Sequence, residues 1–190
     1  DIKVVELRVP TPSHTDAELV ELFRRGITDK TRLILCSHMI NLSGQALPVT
    51  EITRMGREKG IPVIVDGAHS HVHLDFRLAD LDVDYFGTSL HKWLFAPIGT
   101  GMLYVRRDKI PGLWPLLAAD ASLDDDIRKF EQIGTNPAAN KLAIAEAITF
   151  HEALGLERKL ARLLWLRDRW VKALTGAFPN RVHLRTSMAP

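Results

Sequence analysis

An acid and an amine close two apolar runs of this 190-residue chain. Ile61-Pro62-Val63-Ile64-Val65 leads into Asp66-Gly67-Ala68-His69, and Tyr85-Phe86-Gly87 leads into Ser89-Leu90-His91-Lys92-Trp93. A lysine held neutral can condense with an aldehyde, and a carboxylate can keep a ring nitrogen protonated. Serine and histidine can donate to a phosphate. Those are the three demands that pyridoxal phosphate makes on a protein, and Lys92, Asp66, Ser89 and His91 meet all of them. Each residue alone has a plainer reading, since an Asp at a strand end can cap a helix and most lysines are solvated. Together they point to a cofactor enzyme of amino-acid chemistry.

For the two groups to converge, their runs must be strands of one open sheet, because ligands of such sheets sit beyond the carboxyl ends of the strands. The rest of the pattern supports this. Thr15 and Glu18 have capping-box spacing ahead of an apolar stripe at Leu19, Leu22 and Phe23. A buried strand is predicted over 32–37, a helix around Ile52 and Met55 ended by Lys59-Gly60, and a strand over 61–65 that is apolar on both faces. Residues 82–87 form the strand that delivers Lys92. Alternation of this kind predicts an α/β fold, a mostly parallel sheet with helices on both faces. Too few residues separate Lys92 from Gly101 for a helical crossover, so 101–105 is expected to run antiparallel or to lie at an edge.

Residues 111–126 read as a surface loop. A helix is expected after Asn136 as N-cap and Pro137 as first helical residue. Another is expected over 156–174, with Leu156, Leu160, Leu163, Trp170 and Leu174 on its apolar side. The run 181–185 resembles the start of a new strand. These features divide the chain into a cofactor-binding domain over 1–155, incomplete at its N-terminus, and a connecting helix with the beginning of a smaller domain over 156–190.

Composition narrows the function further. The 25 basic and 23 acidic side chains give a formal charge of +2, which argues against nucleic acid as a partner. No apolar run approaches the roughly 18 residues that span a bilayer. No signal pattern opens the chain, so a cytoplasmic location is expected. The single cysteine, Cys36, lies in the apolar run Leu33-Ile34-Leu35 and reads as a small buried hydrophobe.

The stretch also resembles a known family. Asp66-Gly67-Ala68-His69, Ser89-Leu90-His91-Lys92-Trp93-Leu94, Ala96-Pro97-Ile98-Gly99-Thr100-Gly101 and Leu103-Tyr104-Val105-Arg106 are similar, in that order, to the class V aminotransferase family of pyridoxal phosphate enzymes. The likeness extends upstream to Ser37-His38-Met39-Ile40-Asn41-Leu42-Ser43-Gly44 and downstream to Ile133-Gly134-Thr135-Asn136-Pro137. It implies the large domain of the aspartate aminotransferase-like fold, with Lys92 as Schiff-base lysine and Asp66 as partner of the pyridinium nitrogen. It further implies Ser89 and His91 as phosphate ligands, Asn41 near cofactor and substrate, and His69 where cysteine desulfurases carry a glutamine that bonds the ring hydroxyl. Thr135 matches a threonine that reaches the phosphate of the neighbouring subunit, which makes a homodimer the expected active unit. A helix start that presents free N–H groups to an anion agrees with that role.

Trp93 and the turn after it place the chain nearer the isopenicillin N epimerase-like branch than the cysteine desulfurases. The resemblance therefore implies abstraction of an α-proton from an amino acid or amino-acid derivative. A desulfurase or lyase of the same family is the alternative. Complete members are about twice as long, so the 190 residues are expected to be the central portion of a larger enzyme and inactive alone. Two readings belong to other classes. His69, His71 and His73 alternate, with Asp75 next, and on an extended strand could hold zinc for hydrolysis, with help from His38 and His91. The remaining one is a scaffold that binds no cofactor.

Overall fold

The computed structural model describes residues 2–11, 15–184 and 186. Helix α1 (Asp16–Gly26) starts at the predicted capping box: the Glu18 N–H donates to Thr15 Oγ1 at 3.3 Å, and the Thr15 N–H donates to Glu18 Oε2 at 2.9 Å. Helix α2 (Val49–Glu58) ends as predicted at Gly60, whose φ of +67° suits a residue without Cβ. There the Ile61 N–H donates to the Gly56 carbonyl and the Gly60 N–H to the Arg57 carbonyl, the paired bonds of a Schellman stop.

Strands β1 (Ile34–Ser37), β2 (Val63–Asp66) and β3 (Tyr85–Ser89) are parallel neighbours in that order, joined by α2 and by the short helix α3 (Leu78–Leu81). Strand β4 (Gly101–Val105) pairs antiparallel with β3 and forms the sheet edge, so both alternatives predicted for it hold at once. The register sets Ser37, Asp66 and Gly87 side by side at the carboxyl ends.

The α/β class and mostly parallel sheet are as the sequence implies. Ile34, Cys36, Val63, Val65 and Phe86 turn to one face and pack with Leu19, Phe23, Ile52 and Met55 of α1 and α2. Burying a Val, Leu, Ile, Phe or Met side chain stabilises by roughly 1.5–3 kcal/mol, so this face dominates the folding energy. The opposite face is open at Leu35 and Leu103. Covering of both faces, expected from apolar strands, is therefore met on one face by the helices described.

Several boundaries move for identifiable reasons. The strand predicted from 82 begins at Tyr85, because Asp82 is left-handed (φ 51°) and its carboxylate pairs with Arg57. Buried Asp84 then accepts the Val63 N–H at 2.9 Å and pairs with Arg106 at 2.9 Å, tying β2, β3 and the end of β4 together. The loop over 111–126 contains a turn of 3-10 helix at Ala121–Leu123, with others at Arg107–Lys109 and Ile127–Glu131 beside it. It is held by buried Lys129, whose amine donates to the carbonyls of Ile110 and Asp124.

Helix α4 (Ala138–Leu154) starts one residue later than predicted: Pro137 is the extended N-cap, and the Asn136 amide donates to the Gly134 carbonyl instead of capping. Helix α5 (Leu156–Ala177) follows after Gly155. Leu156, Leu160 and Leu163 of the predicted stripe are half-buried, but towards the C-terminal end the buried side passes to Val171 and leaves Trp170 and Leu174 exposed. Over 181–184 the chain is turn and coil, not the strand expected; Arg185 lies outside the described residues.

Candidate active site

Asp66 is the last residue of β2, and the alternation that buries Val65 turns its carboxylate outward. One oxygen accepts the Ala68 N–H at 2.9 Å. Gly67 prolongs the ladder by donating its N–H to the Gly87 carbonyl at 2.8 Å, and it lies so close to the Phe86 ring that an added Cβ would stand 1.9 Å from Cζ. Only glycine lets the chain turn there. The Thr88 hydroxyl donates to the Gly67 carbonyl at 3.2 Å and steadies the same point.

The next residues coil back. The N–H groups of Ser70 and His71 donate to the Gly67 carbonyl, and those of His73 and Leu74 to the Ser70 carbonyl. This winding brings His69 Nε2 to 3.1 Å from Lys92 Nζ. Lys92 is held by its own turn, which Leu90 and Leu94, both buried, anchor from below. Bonds from the N–H groups of Lys92, Phe95 and Ala96 to the carbonyls of Ser89, Lys92 and Leu90 close it.

His69 therefore meets the amine directly and feels the charge of the acid. Burial and the Lys92 charge push its pKa below the ordinary histidine value, while the Asp66 charge pulls the other way. A neutral imidazole can accept a hydrogen bond from the Lys92 ammonium, which orients the amine. Ser89, at the end of β3, and His91, whose Nδ1 lies 3.3 Å from the Thr100 carbonyl, flank Lys92 on the same turn. Asn41 is exposed in the turn after β1, at the same end of the sheet. Thr135 is exposed too, and among the described residues no hydrogen bond links it to the others.

The histidine alternation does not become a metal face. Because 68–74 is wound instead of extended, His73 stacks on Trp93 (centroids 3.8 Å, planes 30° apart) and its Nδ1 meets the His69 carbonyl at 3.1 Å, while His71 faces Phe86. His38 is buried edge-on against Phe76, its pKa pushed down to about 4 by burial. Among the described residues no three His, Cys, Asp or Glu side chains are grouped to hold a metal ion. Burial and the charge of Asp66 push the Cys36 thiol up to about 12, as suits a structural residue.

Sequence reasoning missed the contact of Gly67 with Phe86 and the stacking of His73 on Trp93. Period-2 burial in β3 signals the first by placing Phe86 inward; nothing local signals the second. The donor set fits pyridoxal phosphate: an outward carboxylate at one strand end, an amine beside a neutral imidazole at the next, and a hydroxyl and an imidazole flanking that amine.

The family model for class V aminotransferases matches residues 2–183. The chain belongs to the class V aminotransferase family. Enzymes of this family are pyridoxal phosphate-dependent, in agreement with the donor set. This class V chain is 30% identical over 193 residues to the isopenicillin N epimerase of Streptomyces clavuligerus, covering 93% of the chain and 48% of that protein. It is 31% identical over 150 residues to a probable cysteine desulfurase of Mycolicibacterium paratuberculosis, covering 74% of the chain and 22% of that protein. The apo structure of a cysteine desulfurase from Thermococcus onnurineus NA1 matches with a TM-score of 0.72 at 24% identity, over 85% of this chain and 41% of that one. That likeness concerns the fold. The chain spans about half the length of the isopenicillin N epimerases it matches. Among the described residues no helix is long and apolar enough to cross a membrane.

Proposed function

We propose that the protein is a pyridoxal phosphate-dependent enzyme that acts on an amino acid or amino-acid derivative, with isopenicillin N epimerase-like chemistry. The observation that carries this reading is the 3.1 Å contact of Lys92 Nζ with His69 Nε2, made beside Asp66 at the carboxyl end of the sheet. When bound, pyridoxal phosphate supplies an aldehyde for an amine and a ring that accepts electrons from the α-carbon. Asp66 keeps the ring nitrogen protonated. Ser89 and His91 would donate to the phosphate, and Asn41, in the turn after β1, would stand near cofactor and substrate. His69 orients the Lys92 amine and would bond the ring hydroxyl. Lys92, once free, takes the α-proton of the substrate at Nζ. In a homodimer, Thr135 of each subunit reaches the phosphate of its neighbour.

A second reading, a cysteine desulfurase or related lyase, is supported by relatives at similar identity. Cys36 does not suit the role of its nucleophile: the thiol is buried in the core beneath α1 and α2, and burial raises its pKa.

The test uses the full-length protein. Borohydride reduction with added pyridoxal phosphate, followed by peptide mapping, is expected to label Lys92, and Lys92→Ala is expected to lose the label and the visible absorption. Label at another lysine overturns the assignment. Solvent deuterium entering the α-carbon of candidate amino acids supports the epimerase reading; catalytic release of sulfide from cysteine replaces it with the second.

A further inference from the structure

The turn that carries Lys92 is gripped from behind by a cation on another element. Lys159, near the start of α5, directs its amine at the Trp93 carbonyl, 3.1 Å away, and at Nδ1 of His151 on α4, 3.2 Å away. The same nitrogen lies 5.6 Å from the centre of the Phe95 ring, within range of a cation–π contact. Phe150 of α4 meets that ring edge-on, with centroids 6.2 Å apart. Phe95 has a φ of 65°, a region that a bulky side chain occupies only when its surroundings impose it.

The bend between the helices makes this grip possible. Gly155, with φ 78°, donates to the His151 carbonyl and accepts from the Lys159 N–H, so the last turn of α4 and the first of α5 set His151 and Lys159 side by side. Trp93 is thus held by the stacked His73 ring and by the amine on its carbonyl. Burial lowers the Lys159 pKa. A carbonyl and an imidazole nitrogen take the place of lost water around its amine.

We propose that Lys159 is a positioning residue that fixes the 92–95 turn, and with it the direction of the Lys92 amine, and that ties this turn to the bend between α4 and α5. Its functional half rests on the reading of Lys92 as the cofactor lysine. Its mechanical half does not.

Hydrogen exchange on the cofactor-free full-length protein tests the mechanical half through the amides of Lys92, Phe95 and Ala96. In Lys159→Met these are expected to exchange about tenfold faster, as follows from loss of a charge-assisted bond in a local opening, while Lys159→Arg stays near wild type. Capture of added pyridoxal phosphate is expected to slow by about tenfold in Lys159→Met, because misdirecting a reacting group by a fraction of an ångström costs at least that. Unchanged exchange in folded Lys159→Met overturns the inference. Should that variant not fold, Lys159→Gln, which offers the carbonyl a neutral donor and Phe95 no cation, is expected to exchange at an intermediate rate; wild-type exchange there overturns the inference equally. Borohydride label away from Lys92 sinks the functional reading and leaves the exchange result standing, whereas unchanged exchange with Lys92 labelled sinks the role of Lys159 alone.

Discussion

The seam where β2 and β3 end and the approach to α4 are assigned to one proposed cofactor, yet they are built in opposite ways. In the seam almost every group is used by another part of the same chain: Gly67 lies on Phe86, Thr88 bonds Gly67, His69 meets Lys92, and Leu90 and Leu94 are buried beneath the turn. Over 131–137 every residue is exposed, and the side-chain bond found there runs from Asn136 to Gly134, two positions away. Where the chain supplies both partners, its geometry is complete within these residues. A segment whose proposed partner is a second copy has only its sequence neighbours to bond.

The largest effect expected from breaking this contrast is at Gly67. An alanine there sets its Cβ against a ring that is fully buried, so backbone or core must shift. We expect Gly67→Ala to destabilise by about 3 kcal/mol or more, at the upper end of the cost of overpacking a core, as measured by urea unfolding. Gly134→Ala, in the other region, meets no atom within 4 Å but must hold a φ of 76°, and should cost roughly 1 kcal/mol. Equal losses at the two positions would remove the distinction.

The same contrast explains which features could be read from the sequence. The α/β class, the existence of the strands and the placing of Asp66 and the Lys92 turn at the carboxyl ends of neighbouring parallel strands were legible, because apolar runs, capping spacings and glycines near them are local signals. The Asn136 cap was misread, since its amide finds the Gly134 carbonyl first. The first half of the α5 stripe, Leu156 to Leu163, was legible and its far end was misread by one position, because a helix exposed along much of its length gives burial little power to select between Trp170 and Val171. The Lys159 contact with Trp93 joins residues 66 apart and leaves no periodic trace. The alternating histidines were legible as a spacing and misleading as a geometry, because Gly67 and Ser70 wind the segment that the spacing required to be extended.

An effect of intermediate size is expected from pH. His38 belongs to the seam, donating its backbone N–H to the Asp66 carbonyl at 2.8 Å, and burial lowers its pKa from 6.5 to about 4. As pH falls below 6.5 the unfolded chain binds this proton and the folded one does not, so stability is complete above about 6.5 and is lost progressively towards pH 4. At 1.36 kcal/mol per pKa unit the upper bound is roughly 3 kcal/mol, and about 2 is expected after partial screening. His69, His71, His73 and His151 are lowered in the same direction. The informative quantity is therefore the difference between wild type and His38→Leu in urea midpoint from pH 7 to pH 4.5. A variant with the full wild-type slope would show that His38 contributes nothing to it.

The smallest effect on folding, and the sharpest on the comparison, is expected at Thr135. Its side chain is exposed, so Thr135→Val should change stability by less than about 0.5 kcal/mol. If the hydroxyl serves the phosphate of a neighbouring subunit, the same change should weaken binding of pyridoxal phosphate to the full-length protein about tenfold, the scale of one hydrogen bond to a charged group. Mixing subunits separates action within a subunit from action across a pair. A dimer of one Thr135→Val subunit and one Lys92→Ala subunit contains one site with Lys92 from the first and Thr135 from the second, so half of its sites should recover wild-type affinity. If Thr135 acts within its own subunit, none should, because the only site with Lys92 then has valine beside it. Titration of the mixed dimer with pyridoxal phosphate reads the difference directly, and the absence of a tight half-site would place the function of 131–137 inside one chain.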